Sequence, residues 1–246
     1  MLDPFSHPPS GVHRCNAVAI PVSEAVKSDG KFRTIFNFSY DWENSANAGI
    51  PQAYGFTTYP TFEEVAAAIL LVGLDVVMFC LFDVESVFRN LRIHPDDWIF
   101  QVVAWQEYEG GPRWWWIDLA LPFGIRVGSA FFNCFGDVLE FILKHCCLDA
   151  EACRLFTQFL RYLDDHLLLV NGLALANVIL DRMLGLMKAL NIPVKESKTI
   201  RPSEVIKYTG SYWDPRKDVV TLDPERWVSL QAALIDIDSR LDRQCT

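Results

Sequence analysis

Arg161-Tyr162-Leu163-Asp164-Asp165-His166-Leu167-Leu168-Leu169-Val170 sets two adjacent carboxylates between apolar runs. Leu155, Phe156, Phe159 and Leu160 precede them, and Leu167 to Val170 come after. An apolar run of roughly four to eight residues reads as a buried strand. Two such runs about a short polar centre read as a tight hairpin, with Asp164 and Asp165 at its tip. Taken alone, an Asp-Asp pair serves as a solvated turn, because Asp is a common turn residue. Beside a core it needs a second explanation, since an unpaired buried carboxylate is very costly. A bound cation supplies one.

The chain has 246 residues, of which 51% are hydrophobic and 13% aromatic, enough for one large domain or one domain with subdomains. Charged residues make up 22%, which argues against wholesale disorder. A net charge of −9 disfavours a dedicated nucleic-acid binder, which is usually basic. It leaves room for an enzyme that gathers acids at one metal site and bases along one groove. The 7 cysteines are odd in number, lie mostly in apolar stretches and lack the C-x-x-C spacing of a zinc site. They read as buried thiols in a reducing compartment. The N-terminal MLDPFSHPPSG has no basic segment leading into an apolar run, so it does not read as a signal peptide. The apolar stretch Val65–Phe82 is interrupted by Gly73 and Asp75 and reads as helix then strand, with no membrane span.

Residues 1–15 read as a lead-in. Asn16–Pro21 and Phe32–Phe38 read as strands, separated by polar Ser23–Lys31 with an Asp29-Gly30 turn. Thr61 and Glu64 have capping-box spacing, so a helix opens there, runs to about Leu71 and stops at Gly73. Val76–Asp83 reads as a buried strand whose alternation puts Val77, Phe79, Leu81 and Asp83 on one face. Asp83 then either caps the next segment or joins a site. Ile99–Tyr108 and Arg113–Leu119 flank Gly110-Gly111 as a hairpin, and Trp114 to Trp116 in it suit sheet packing better than base stacking. Helices are expected over Gly128–Cys146, with Phe131, Phe132, Phe135, Leu139, Ile142 and Leu143 on one face, and over Leu173–Leu190, with Ile179, Met183, Leu186 and Leu190. Ile206–Trp213 and Asp218–Leu222 read as a last hairpin, and Pro224 opens a short final helix. Two helices on one face of an antiparallel sheet make an α+β layer. In it Asp83 and the Asp164-Asp165 tip can converge. Three such acids suit Mg²⁺, and a pair of ions would clamp both oxygens of a phosphoryl displacement.

Several blocks then match one family in order. These are Phe82-Asp83-Val84-Glu85-Ser86-Val87-Phe88, Leu91–Trp98 (LRIHPDDW), Leu121-Pro122-Phe123-Gly124-Ile125-Arg126, Tyr162-Leu163-Asp164-Asp165, Glu196-Ser197-Lys198-Thr199 and Tyr208-Thr209-Gly210, with Lys31-Phe32-Arg33 and NFSY ahead of them. Over about residues 16–225 the sequence resembles the reverse transcriptase core of retroelements, most like long-terminal-repeat and tyrosine-recombinase (DIRS-type) retrotransposon polymerases. The resemblance implies an α+β right-hand polymerase fold of fingers, ferredoxin-like palm and partial thumb. It implies fingers mainly at 16–75, a palm at 76–213 with a fingers insertion at about 98–120, and the palm end with a partial thumb at 214–246. By the same resemblance Asp83, Asp164 and Asp165 bind two Mg²⁺ ions, for which Mn²⁺ can substitute, with the Val84 carbonyl as a further ligand and Asp164 ranked above Asp165. Lys198 acts on the leaving pyrophosphate. Phe88 excludes a 2′-hydroxyl. Lys31 and Arg33 meet the triphosphate, while Phe123, Gly124, Arg126 and Tyr162 line the substrate pocket and Tyr208–Tyr212 support the primer end.

The implied partners are an RNA or DNA template with its primer, deoxynucleotides, and RNase H or integrase/recombinase functions on other chains or regions. No membrane is involved, and the location is intracellular, in cytoplasm or nucleus. The chain departs from the pattern in three places: Asn37 in place of Asp, IRVGSAFFN after LPFG, and His166 after the aspartates. A second acid pair, Asp96-Asp97, reads as a turn after Pro95 in keeping with its block, and not as a metal site. With no length left for RNase H, integrase or protease domains, the chain reads as a fragment, a standalone copy or a degraded element. A non-catalytic relic that keeps the fold and binds nucleic acid or protein is the alternative. An RNA-directed RNA polymerase is a third reading, which Phe88 opposes.

Overall fold

The computed structural model describes residues 20–26, 30, 32–40, 42–106, 108, 110–147 and 157–244. It is a mixed α/β protein with antiparallel sheets and four α-helices among the described residues. In chain order the elements are β1 (Val22–Val26), β2 (Phe32–Phe36), α1 (Phe62–Val72), β3 (Val77–Asp83), β4 (Val102–Gln106), β5 (Arg113–Ile117), α2 (Gly128–Cys147), β6 (Thr157–Tyr162), β7 (Asp165–Asn171), α3 (Leu173–Ala189), β8 (Ile200–Ser203), β9 (Ile206–Tyr208), β10 (Ser211–Asp214), β11 (Val219–Leu222) and α4 (Pro224–Gln244). They fall into two compact units. One comprises Met1–Thr58 with Ser86–Glu140, the other Tyr59–Glu85 with Phe141–Thr246.

The second unit is built on a four-stranded sheet in the order β6-β7-β3-β8. All seven residues of β3 are buried. A central strand covered on both faces has no solvent side, which explains its unbroken apolar run. Val77, Phe79 and Leu81 join Leu167, Leu169 and the α1 residues Val65, Ala68, Ile69 and Val72 in one core cluster. On the opposite face the Cys80 thiol donates to the Ala176 carbonyl of α3 at 3.9 Å. Helix α1 starts where its capping box predicts, with Thr61 Oγ1 accepting from Glu64 N and the Glu64 carboxylate accepting from Thr61 N. Gly73 ends it at φ 110°, a conformation that favours glycine.

Several expected elements shift. The inward stripe of α3 is Ala176, Ile179, Leu180, Met183 and Met187, while Leu190 is 42% exposed. The run Ile206–Trp213 breaks at Thr209 (φ 49°) and Gly210 (φ 83°) into β9 and β10, which with β11 form a three-stranded sheet. The fourth strand of the main sheet, β8, lies in a short segment containing Pro202 that carries no strand-like alternation. The final helix, α4, is 21 residues long, not short.

In the first unit β1 pairs with β2 from Val22↔Phe36 to Val26↔Phe32. Of the strand expected at Asn16–Pro21, residues 16–19 lie outside the described residues, and Ile20 makes an isolated bridge to Val103. The segment Ser23–Val26, read from sequence as polar, is part of a strand because its register with Phe32–Phe36 draws it into the ladder. β4 and β5 pair about Gly110-Gly111 as expected, with Trp105 opposite Trp114 and Ala104 opposite Trp115. On α2, Phe132, Leu139 and Leu143 are buried, but Phe131 is exposed. Cys80, Cys134, Cys146 and Cys147 are free thiols. Cys80 and Cys147 are buried as expected, while Cys134 and Cys146 are exposed. Burial pushes the Cys80 thiol up to about 12, so it packs as an inert apolar group.

The core of the second unit yields a direct test. Leu169→Ala, at a fully buried position of β7, is expected to destabilise by about 2–5 kcal/mol. Leu70→Ala, on the exposed side of α1, is expected to stay within about 0.5 kcal/mol of the parent. Urea unfolding of both variants is the measurement, and equal midpoints would contradict the packing described.

Candidate active site

The acids meet because two strands are in register. Asp83 ends β3, Asp165 opens β7, and the two are direct partners in the antiparallel β3–β7 ladder. Directly opposed residues share a face, with Cβ atoms about 4.5–5.5 Å apart. Asp164 lies in the two-residue turn between β6 and β7, after Leu163 at φ 50°. The Val84 N–H donates to the Asp164 carbonyl at 3.0 Å and ties the end of β3 to this turn. Asp83 and Val84 are buried, at 3% and 1% exposure, and Asp164 and Asp165 are half-buried.

Clustering strains the charges. The Asp164 carboxyl is held above its ordinary value by burial and by the neighbouring Asp83. Burial, then repulsion from Asp164, pushes Asp165 up to about 6. Lys198 answers them: its ammonium is bonded to the Asp83 carboxylate Oδ2. Burial pulls the Lys198 ammonium down, but the bond to Asp83 and the three surrounding carboxylates outweigh this and raise it. The Lys195–Lys198 segment is brought here by the backbone. Lys195 N–H donates to Asp83 O and Glu85 N–H to Pro193 O, both at 2.8 Å. The Glu-Ser-Lys motif is thus laid along the end of β3 by hydrogen bonds that sequence spacing does not reveal.

Two further residues of this unit were not singled out as site residues from the sequence. Tyr59 lies 4.5 Å, ring to ring, from Tyr162, and Tyr162 is the β6 partner of Asp165. His166 is fully buried, stacked on Phe82 at 4.7 Å and 7° and tilted against Phe159 at 5.6 Å. Burial lowers its imidazole to about 4, so it is neutral at physiological pH. The apolar run directly after it was the one available signal of its burial.

The remaining predicted residues belong to the first unit. Phe88 is buried, edge-on to Phe123 at 4.7 Å and tilted against Phe132 at 5.6 Å. Beside it Arg89 pairs with the buried Asp118 at 2.5 Å. Asn47, which nothing in the sequence marks, is the hub of the LPFG turn. Its Nδ2 donates to Gly124 O and to Ser39 Oγ at 2.9 Å, and its Oδ1 accepts from Arg126 N at 2.7 Å. Gly124 sits at φ 95°, and a Cβ there would lie 2.8 Å from the Phe36 carbonyl oxygen, so only glycine fits. The Arg126 guanidinium donates to the Ile50 carbonyl. Arg33 lies in β2 opposite Ala25, and Lys31 lies outside the described residues.

The donors Asp83, Asp164, Asp165 and the Val84 carbonyl are all hard oxygens, the chemistry Mg²⁺ prefers. The raised carboxyls of Asp164 and Asp165 mark a surplus of negative charge that a dication would relieve. Among the described residues no group of three or more His, Cys, Asp or Glu side chains is already disposed to hold a metal ion. The positive charge at this place belongs to Lys198.

No protein-family model matches the sequence, and no curated protein matches it. Solved structures do. A foamy viral protease–reverse transcriptase in complex with double-stranded DNA is similar with a TM-score of 0.60 at 17% identity, over 87% of this chain and 32% of that one. The prototype foamy virus protease–reverse transcriptase CSH mutant is similar with a TM-score of 0.53 at 17% identity, over 83% and 23%. The chain therefore spans about a third or less of these relatives, and the likeness is one of reverse-transcriptase-like fold. Among the described residues no helix is long and apolar enough to cross a membrane.

The charge cluster predicts a pH dependence. A carboxyl raised on folding stabilises the fold below its unfolded value near 4, and that contribution is lost as pH rises through about 6. His166 acts oppositely in the same window, since a depressed imidazole costs stability as pH falls from about 6.5 toward 4. In chelator-treated protein, Asp165→Asn is therefore expected to gain stability relative to its parent as pH rises from 4 to 7. With solvent screening the gain is on the order of 1 kcal/mol. Denaturant titrations at both pH values check this, and a pH-independent difference would contradict the coupling.

Proposed function

We propose that this chain is the polymerase core of a reverse transcriptase, adding deoxynucleotides to a primer 3′ end on an RNA or DNA template. The observation that carries the reading is the cross-strand register of Asp83 with Asp165, with Asp164 in the adjoining turn, on a fold similar to viral reverse transcriptases. One of those relatives was solved with double-stranded DNA, which supports a nucleic-acid duplex as the partner of this chain. In this reading the unit built on β6-β7-β3-β8 is the palm, the segments around β1, β2, β4 and β5 are fingers, and α4 begins a thumb. The parent is a retroelement of the long-terminal-repeat or DIRS type, with RNase H and integrase or recombinase functions supplied elsewhere.

Asp83, Asp164 and Asp165 would hold two Mg²⁺ ions, with the Val84 carbonyl as an additional donor. Bound there, the ions supply activation of the primer hydroxyl and neutralisation of the leaving pyrophosphate. Lys198 is bonded to Asp83, and its ammonium would neutralise or protonate the leaving pyrophosphate. Phe88, wedged against Phe123 and Phe132, presents a rigid ring for excluding a 2′-hydroxyl by volume. Arg33 and Lys31 act on the triphosphate. Gly124 and Arg126 shape the pocket wall through Asn47. A relic reading is favoured by one observation, the Lys198 ion pair on Asp83 with no ready-made metal cluster among the described residues.

Primer extension separates the two. The parent is expected to extend a primer on an RNA template with dNTPs and Mg²⁺ or Mn²⁺. The Asp164→Asn, Asp165→Asn double variant should lose on the order of 10³-fold or more. A folded parent that binds primer–template without extending it supports the relic. Phe88→Ala is expected to raise ribonucleotide incorporation relative to deoxynucleotide by about tenfold or more, and no change in that ratio would remove Phe88 from the gate role.

A further inference from the structure

The Asp164 carbonyl oxygen accepts two hydrogen bonds at the tip of the hairpin, one from Val84 N–H and one from the His166 ring at Nδ1, each 3.0 Å long. A carbonyl oxygen only accepts, so Nδ1 carries the proton. Nε2 is then a bare acceptor, buried and without a partner among the described residues. The ring itself is 0% exposed. Phe82, its cross-strand partner on β3, stacks on one face at 4.7 Å, and Phe159 of β6 lies against it at 5.6 Å.

This placement is costly for an imidazole. A phenyl ring would fill the same sandwich with no orphaned nitrogen, since a buried polar atom without a partner costs stability. The single polar return is the Nδ1–H bond, and it falls on the residue carrying a site carboxylate. The turn also needs such a bond, because Leu163 at φ 50° occupies a left-handed conformation that persists only where its surroundings fix it. Val84 pins the Asp164 peptide from just past the end of β3 and His166 pins it from β7.

We propose that His166 is a positioning residue, which through the Asp164 carbonyl fixes the turn so that the Asp164 and Asp165 carboxylates face a divalent cation. The inference rests on the polymerase reading of the site. It is the arrangement by which outer groups orient metal ligands, where loss of one partner typically weakens binding about 10–100-fold.

The test uses chelator-treated full chain and Mn²⁺ alone, titrated by electron paramagnetic resonance. His166→Phe keeps the ring between Phe82 and Phe159 and removes the donor. It is expected to keep or raise the thermal midpoint while binding Mn²⁺ about tenfold or more weakly. His166→Asn keeps a side-chain N–H at similar reach and gives up the ring. It is expected to be less stable yet bind within about threefold of the parent. In primer extension His166→Phe should lower kcat and leave the dNTP KM unchanged. Parental Mn²⁺ affinity in His166→Phe, or equal losses in both variants, overturns the inference. Nitrogen-15 histidine spectra of the unmutated protein decide it independently of variant folding: a Nδ1-protonated, slowly exchanging ring is expected, and the Nε2-protonated tautomer overturns it. A parent whose Mn²⁺ binding is absent, or indifferent to Asp83→Asn, overturns the polymerase reading and this inference with it.

Discussion

Like charges held side by side are the constraint on which the rest of the second unit depends. Asp83 and Asp165 are opposed in one ladder, and opposed like charges destabilise a sheet. Nothing in the two carboxyls favours this pairing. It is imposed by the apolar residues behind them. Val77, Phe79 and Leu81 face Leu167 and Leu169 in a single cluster, and a one-residue slip would turn every one of these side chains to the other face. Hydrophobic burial therefore sets the register, the register sets the charge cluster, and Lys198 compensates part of its repulsion.

Much of this was legible because it is local. The capping box of Thr61 and Glu64, the stop at Gly73, the buried run ending at Asp83 and the apolar flanks of Asp164-Asp165 are all encoded within a few residues of where they act. The facing of Asp83 comes from strand alternation alone. The features that were missed are non-local. β8 is a strand because β3 offers an edge to Ile200 and Ser203, not because Ile200–Ser203 alternates. Asn47 matters through partners at Gly124 and Arg126, more than seventy residues away, and an Asn in a polar loop looks like any other. His166 sits beside two acids, where a histidine reads as another polar turn residue. Only the rings of Phe82 and Phe159 reveal that it is core.

The first unit makes a complementary point. Phe88, Phe123, Gly124 and Arg126 are held mainly by backbone groups and aromatic edges. Asn47 bridges the Ser39 side chain, the Gly124 carbonyl and the Arg126 amide, so one side chain ties Ser39 to the turn at 124–126. Phe88 is locked by Phe123 and Phe132. Packing made this way resists deformation because moving one member leaves a polar group unsatisfied or opens a void.

The sheet order has a consequence for how the protein comes into being. β3 lies in the first half of the chain, yet both strands that flank it, β7 and β8, come from the second half. During synthesis this strand, buried along its whole length in the fold, emerges from the ribosome long before either partner exists. Pairings of such sequence separation form slowly, and an unpaired apolar strand is an invitation to association with other chains. The capped helix α1 just ahead of it, which packs with Val77, Phe79 and Leu81 in the finished core, is available to cover them in the interval. The protein's yield in a cell should therefore depend on how fast the chain is translated through Ser203 and on the chaperones that wait beside it.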